Sequence, residues 1–171
     1  MTTDSTESTN DANEGPEFRL ADEEWRRRLS PDQYEVLRHA ATEPPGTGAL
    51  LHEKGIGLFR CAGCGNPLFR SDAKYESGCG WPSFWESLGP DALTEHEDVS
   101  FGMRRVEIRC ARCGSHMGHV FPDGPPPTGL RFCMNSLAMR FEAEGAAGSP
   151  TSPGGRDRPG DPQETPSRWR A

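Results

Sequence analysis

No run in the 171-residue chain approaches the roughly 20 consecutive apolar residues of a bilayer-crossing helix, so no membrane-spanning part is expected. Apolar residues make up only 33% and aromatics 8%, with a mean hydropathy of −0.76. Basic residues are also few: 19 Lys+Arg stand against 26 Asp+Glu, a net charge of −7. Proteins that work by neutralising phosphates are usually basic, so nucleic acid is not an expected partner. The N-terminus has no basic start followed by an apolar stretch, and it is acidic where organelle transit peptides are Arg-rich. A cytoplasmic, monomeric enzyme or small-ligand protein is the expectation.

The shortage of apolar residues is uneven. Residues 1–17 contain no Leu, Ile, Val, Phe, Trp or Tyr and carry five acids against no Lys or Arg. Residues 146–171 interleave Pro150, Pro153, Pro159, Pro162 and Pro166 with Gly, Ser and charge around a single aromatic, Trp169. Neither segment can bury enough apolar surface to offset the entropy of ordering it. The expected organisation is a disordered acidic tail at 1–19, one catalytic domain at 20–143 and a disordered Pro/Gly-rich tail at 144–171.

In a reducing compartment, six cysteines point to metal binding or thiol chemistry before a disulfide framework. Four occupy two matching frames, Cys61-Ala-Gly-Cys64-Gly and Cys110-Ala-Arg-Cys113-Gly. Two sulfurs from each turn complete a tetrahedral site, and four thiolates leave no open position for a substrate, so one structural zinc is expected. The competing reading of a single CxxC is a redox dithiol, which needs a βαβ setting that this sequence does not suggest. The 45 residues between Cys64 and Cys110 exceed a zinc-ribbon gap, so the metal would join distant parts of a larger fold.

Cys79 and Cys133 remain. Cys79 lies in Ser77-Gly78-Cys79-Gly80-Trp81-Pro82-Ser83, whose glycines and proline indicate an exposed irregular loop. Cys133 lies in a segment that alternates like a strand, with Leu130, Phe132 and Met134 on one face and Arg131, Cys133 and Asn135 on the other. There Arg131 can lower the thiol pKa and Asn135 can hydrogen-bond a substrate or water. Both cysteines can equally be inert small hydrophobes. His116 and His119 follow the second CxxC turn; they read as additional zinc ligands, as solvated loop histidines, or as a proton-transfer pair. A thiolate beside a histidine acid is the minimal equipment for attack on an electrophile whose leaving oxygen needs a proton.

The run CAGC, SGCGWPSF and GM-x-R-x-E-x-RCARCGSHMGHVFPDGPPPTGLRFCMNS resembles methionine-R-sulfoxide reductases of the MsrB type, over about residues 29–141. The resemblance implies that Cys133 is the nucleophile, Cys79 the resolving thiol, and Cys61, Cys64, Cys110 and Cys113 the zinc ligands. It also places Trp81, His116, His119, Phe121, Arg131 and Asn135 around the substrate. The chain departs from the family at Gly46, where an aromatic is usual, and in its Pro-rich C-terminal tail.

The implied fold is mainly β, a barrel-like arrangement of small antiparallel sheets with short N-terminal helices. Local signals agree. Ser30-Pro31-Asp32-Gln33 is a capping box with proline at the first helical position, predicting a helix to about His39. Short strands are predicted at 57–60, 68–70, 104–109 with Val106 and Ile108 on one side, 120–121, and 130–141.

The implied chemistry is reduction of oxidised methionine, free or in proteins. Cys133 attacks the sulfoxide sulfur, His119 or His116 protonates the oxygen, and Cys133 becomes a sulfenic acid. Cys79 then closes a disulfide that a thioredoxin-like dithiol reopens. Trp81 and Phe121 offer an apolar wall for the substrate methyl. Two rivals remain: a zinc-stapled nucleic-acid module, which would have a basic surface, and a general thiol–disulfide oxidoreductase, which would not need the histidines.

Overall fold

Ser30 caps its helix as its spacing requires. Its Oγ accepts from Gln33 N at 3.2 Å, the Gln33 side chain accepts from Ser30 N at 3.1 Å, and α2 runs Pro31–His39. It is preceded by α1, Asp22–Arg28, one of the short N-terminal helices of the implied fold, for which no local signal gave a span. This helix is seven residues long with a single buried apolar residue, Trp25, so no helical period can be read from it. Acids in its first turn and arginines in its last complement the helix dipole.

The computed structural model describes residues 16–145. The expected tails, apart from 16–19 and 144–145, fall outside the described residues. Phe18, assigned by the sequence reading to the N-terminal tail, packs edge-on against Trp25 at 6.0 Å, and its backbone N–H bonds Arg112 O at 2.7 Å.

Among the described residues nine strands follow the helices: β1 Gly57–Cys61, β2 Pro67–Arg70, β3 Lys74–Tyr75, β4 Ser83–Phe84, β5 Leu93–Asp98, β6 Arg105–Cys110, β7 His116–Phe121, β8 Arg131–Met134 and β9 Met139–Ala143. They form a three-stranded sheet, β2-β1-β9, and a six-stranded sheet, β3-β4-β8-β7-β6-β5, with every pair antiparallel. The architecture is mainly β with two short helices, but neither sheet closes on itself, so the barrel is open.

The segment read as one strand from Leu130 to Phe141 is two strands in different sheets. Between β8 and β9 the chain makes a 3-10 turn at Ser136–Ala138. The turn is anchored from outside: the buried Glu43 carboxylate accepts from Ser136 N, and Asn135 N bonds Met117 O at 2.9 Å. A partner 93 residues away sets this break, and no Gly or Pro marks it locally.

The core joins the two sheets through aromatic rings. Phe69 of β2 stacks on Phe84 of β4 at 4.1 Å, and Phe59 of β1 meets Phe84 edge-on at 4.9 Å. Phe132 and Met134 of β8 are buried while Cys133 between them is half-buried, as the alternation requires. On β6 Ile108 enters the core, whereas Val106, nearer the β5–β6 tip, is exposed.

Candidate active site

The two CxxC turns have the same backbone. Cys61 N donates to Asn66 O and Gly65 N to Cys61 O, at 2.8 and 2.9 Å; Cys110 N donates to Ser115 O and Gly114 N to Cys110 O, at 2.9 and 2.8 Å. Gly65 and Gly114 have φ of +81° and +72°, a conformation that glycine adopts without strain. One turn ends β1 and the other ends β6, so the sulfurs meet between the sheets, all four buried and within 4.8 Å of one another. Cys61 and Cys113 Sγ are 3.7 Å apart, and Cys64 and Cys110 Sγ 3.6 Å. Tetrahedral ligands with metal–sulfur bonds of about 2.3 Å lie roughly 3.8 Å from one another. These spacings therefore fit a four-thiolate metal site and are far too long for disulfides.

Cys79 and Cys133 come together away from that cluster, with Sγ atoms 3.6 Å apart. The β4–β8 register places Ser83 opposite Cys133, and the loop preceding β4 folds Cys79 back over it. Cys79 is half-buried, not fully exposed as its glycines suggested. Ser77 Oγ donates to its sulfur at 3.0 Å, and Ser83 Oγ lies at 3.3 Å. Burial alone works against the Cys79 thiolate, but these hydroxyls outweigh it and lower the thiol pKa to about 7. Cys133 is pushed up to about 12, first by burial and then by the charge of Cys79. Arg131 pulls Cys133 downward, as expected, without overcoming them. Its guanidinium pairs with Asp123 at 2.9 and 3.1 Å and lies over the Phe121 ring at 4.4 Å.

Cys133 opens onto a cavity of about 90 Å³ walled by Thr42, Trp81, Arg105, Gly118, His119, Phe121, Met134 and Asn135. A larger cavity, about 340 Å³ at the ends of β1 and β9, has no thiol or imidazole in its wall. The cavity thus collects Cys133, His119, Trp81, Phe121 and Asn135 of the expected residues, while Cys79, Arg131 and His116 stand behind or beside them.

The histidines lie on β7, not in a loop, and neither joins the four-cysteine cluster. His119 sits opposite Cys133 in the β7–β8 register, and its Nε2 is 2.7 Å from Asp98 Oδ2. Hydrogen bonds from Ser100, then His119 and the nearby Arg105, hold Asp98 well below the usual carboxylate range. His116 is buried, with Nδ1 2.8 Å from Glu107 Oε1 and Nε2 without a partner. Burial pushes its pKa down despite Glu107, so His116 rests neutral.

Asn135 has a more structural position than a substrate amide would have. Its Nδ2 donates to Met117 O and its Oδ1 accepts from Glu43 N, both at 3.1 Å. Trp81 Nε1 donates to Glu43 O at 3.0 Å, so the Glu43 backbone fixes both the Trp81 ring and the Asn135 amide. Burial raises the Glu43 carboxyl pKa against its backbone hydrogen bonds to Ser136 and Leu137. Gly46 N bonds Gly80 O at 2.8 Å, and a Cβ at Gly46 would meet nothing within 4 Å. The missing ring therefore leaves open space beside the Cys79 loop and no hole in the core.

The sequence reading missed Asp98, Arg105, Glu107, Glu43 and Thr42. Arg105 and Glu107 stand within the quoted motif and were the most findable. Asp98 lies on β5, Leu-Thr-Glu-His-Glu-Asp, whose polarity gives no strand alternation.

Residues 29–143 match the family described as SelR domain. The chain is 57% identical over 137 residues to a Leifsonia xyli subsp. xyli protein named peptide methionine sulfoxide reductase MsrB, covering 78% of this chain and 98% of that protein. A protein of the same name from Agrobacterium fabrum is 55% identical over 127 residues, covering 74% and 94% respectively. One from Methanosarcina barkeri is 51% identical over 124 residues, covering 72% and 87%.

Proposed function

The chain belongs to the SelR domain family of MsrB peptide methionine sulfoxide reductases, and from that premise we propose that it reduces methionine-R-sulfoxide through Cys133, with Cys79 as the resolving thiol. The observation that carries this reading is the pair of free sulfurs 3.6 Å apart at a cavity walled by an imidazole and two aromatic rings.

The sulfoxide methyl lies against Trp81 and Phe121, and its oxygen points to His119. At rest Cys133 is the thiol harder to ionise, so it gives up its proton only as it attacks, with the Cys79 thiolate 3.6 Å away as the nearest acceptor. The Cys133 thiolate attacks the sulfoxide sulfur while His119 supplies a proton to the oxygen. The oxygen transfers to the Cys133 sulfur as the substrate S–O bond and the transient bond between the two sulfurs break, so methionine leaves and Cys133 becomes a sulfenic acid. The Cys79 thiol then attacks that sulfur, its proton leaves with the sulfenic hydroxyl as water, and a Cys79–Cys133 disulfide remains. An external dithiol of the thioredoxin class returns two electrons and two protons. Asp98 steadies the His119 imidazole for this work, and Arg131 with Asp123 braces Phe121. His116, neutral and paired with Glu107, is a positioning residue in this scheme.

We assign zinc to the four-cysteine site, because four buried thiols at tetrahedral spacing are the donor set that zinc favours. When bound, zinc supplies cohesion between the sheets and no chemistry. Residues 20–143 form the catalytic domain of this reading, flanked by the two tails. No helix among the described residues is long and apolar enough to cross a membrane. A cycle that ends in a disulfide reopened by a dithiol suits the cytoplasm.

The test is turnover on the two separated sulfoxide epimers with dithiothreitol as reductant. Wild type should yield methionine from the R epimer and none from S, and Cys133→Ser should yield none from either. Methionine formed in a single turnover by Cys133→Ser would remove Cys133 from the role of nucleophile.

A further inference from the structure

We propose that the turn joining β5 to β6 is a docking surface for the polypeptide that carries the oxidised methionine, and that it favours an apolar residue two to four positions from the sulfoxide. This rests on the reduction proposed above and adds a sequence preference to it.

The cavity over Cys133, about 90 Å³, has room for a side chain and none for a peptide backbone. A polypeptide substrate must therefore lie across the rim, and its neighbouring residues meet whatever the rim presents. One part of that rim is the turn between Asp98, bonded to His119, and Arg105, which walls the cavity. Six large apolar residues are strongly exposed among the described residues, and four belong to this hairpin: Phe101 at 89%, Val99 at 65%, Met103 at 50% and Val106 at 36%. Scattered exposed apolar residues are ordinary, but Val99, Phe101 and Met103 share the turn that ends at Arg105 of the cavity wall, and such a cluster calls for a partner; Val106 faces the other side of the sheet, beside Val120.

The turn is braced in that shape. Phe101 has a φ of +56°, a left-handed conformation that a bulky residue adopts only when its surroundings hold it. Asp98 accepts from Ser100 N at 2.9 Å and from Arg105 Nη2 at 3.1 Å, tying both sides of the turn to the carboxylate that also holds His119. The strained backbone turns the Phe101 ring outward instead of folding it onto the sheet.

Phe101 is three residues from Asp98, so its Cα lies within roughly 11 Å of that of Asp98. An extended peptide advances about 3.3 Å per residue, which brings side chains two to four positions from the sulfoxide over the turn. A protein reductant is a less suitable occupant. The Cys79 loop precedes β4, and the sheet order β3-β4-β8-β7-β6-β5 puts that loop on the far side of Cys133 from this turn.

The experiment uses the full chain with dithiothreitol and three R-sulfoxide substrates: a capped single residue, a peptide with Leu three positions from the sulfoxide, and the same peptide with Ser there. Wild type should show the lowest KM for the Leu peptide. Phe101→Ser should raise that KM about tenfold and leave the Ser peptide and the capped residue unchanged, and Val99→Ser should act in the same direction. Equal loss on all three substrates, or no loss on any, overturns the docking surface. So does a loss seen only when a thioredoxin-class protein replaces dithiothreitol, which would make the turn a reductant site. A wild type inactive on all three overturns the reduction itself and this inference with it.

Discussion

Two thiols in van der Waals reach of each other differ in acidity because their neighbours differ. Cys79 has two hydroxyls aimed at its sulfur, whereas Cys133 has burial and a nearby negative charge. A hydrogen bond to a charged group contributes about 1.5–3 kcal/mol, or about one to two pH units of thiol acidity. In wild type, iodoacetamide should modify Cys79 before Cys133, with a rate that rises as pH passes through about 7 and the thiolate forms. Ser77→Ala removes the 3.0 Å donor, so the midpoint should move up by about one unit and modification at pH 7 should slow several-fold. Peptide mass spectrometry across a pH series checks this; an unmoved midpoint would show that Ser77 does not set the acidity.

Strand β5 shows how much an element can matter while giving little sign of itself. It is an edge strand with four exposed positions, and its six residues include three acids. Charge of this kind protects a sheet edge from pairing with other chains, and it also hides the strand from a reading that looks for alternation. Its last residue, Asp98, holds His119 at 2.7 Å. Asp98→Asn should lower kcat by roughly tenfold or more, short of the 10² to 10⁴ expected for removing a general acid outright, with KM little changed. Asp98→Glu should recover part of the loss in steady-state assays. A full-rate Asp98→Asn enzyme would mean that the imidazole needs no carboxylate. Elements with strong local signals were legible: the capping box before α2, and the buried–half-buried alternation of β8. Helix α1 and the break between β8 and β9 were not, since one depends on a single buried Trp25 and the other on a distant Glu43.

At the scale of the whole molecule, two sheets that share no strand pair are joined by an aromatic cluster and by the four-cysteine site. A structural zinc contributes about 10–16 kcal/mol in small zinc domains, as much as the roughly 5–15 kcal/mol that separates a typical folded domain from its unfolded chain. Cys110→Ser should therefore lose both metal and fold, and a strong chelator at elevated temperature should do the same to wild type. Elemental analysis with circular dichroism checks it. A folded, active protein without metal would show that the aromatic cluster suffices.

The sequence by itself determined what depends on neighbours along the chain. Matched CxxCG spacing specifies two identical turns, a capping box starts a helix, and alternation puts Cys133 on the opposite face from Phe132 and Met134. Tertiary structure alone decided which distant groups meet. It brought Cys79 to 3.6 Å from Cys133, gave His119 to Asp98 and His116 to Glu107, and engaged Asn135 with Glu43 and Met117. Each of these contacts joins separate strands or loops, and their distances come from strand register and from how the chain crosses between sheets. Spacing along the chain reports which residues can share a turn or a face; the register of packed strands decides which of them share a proton.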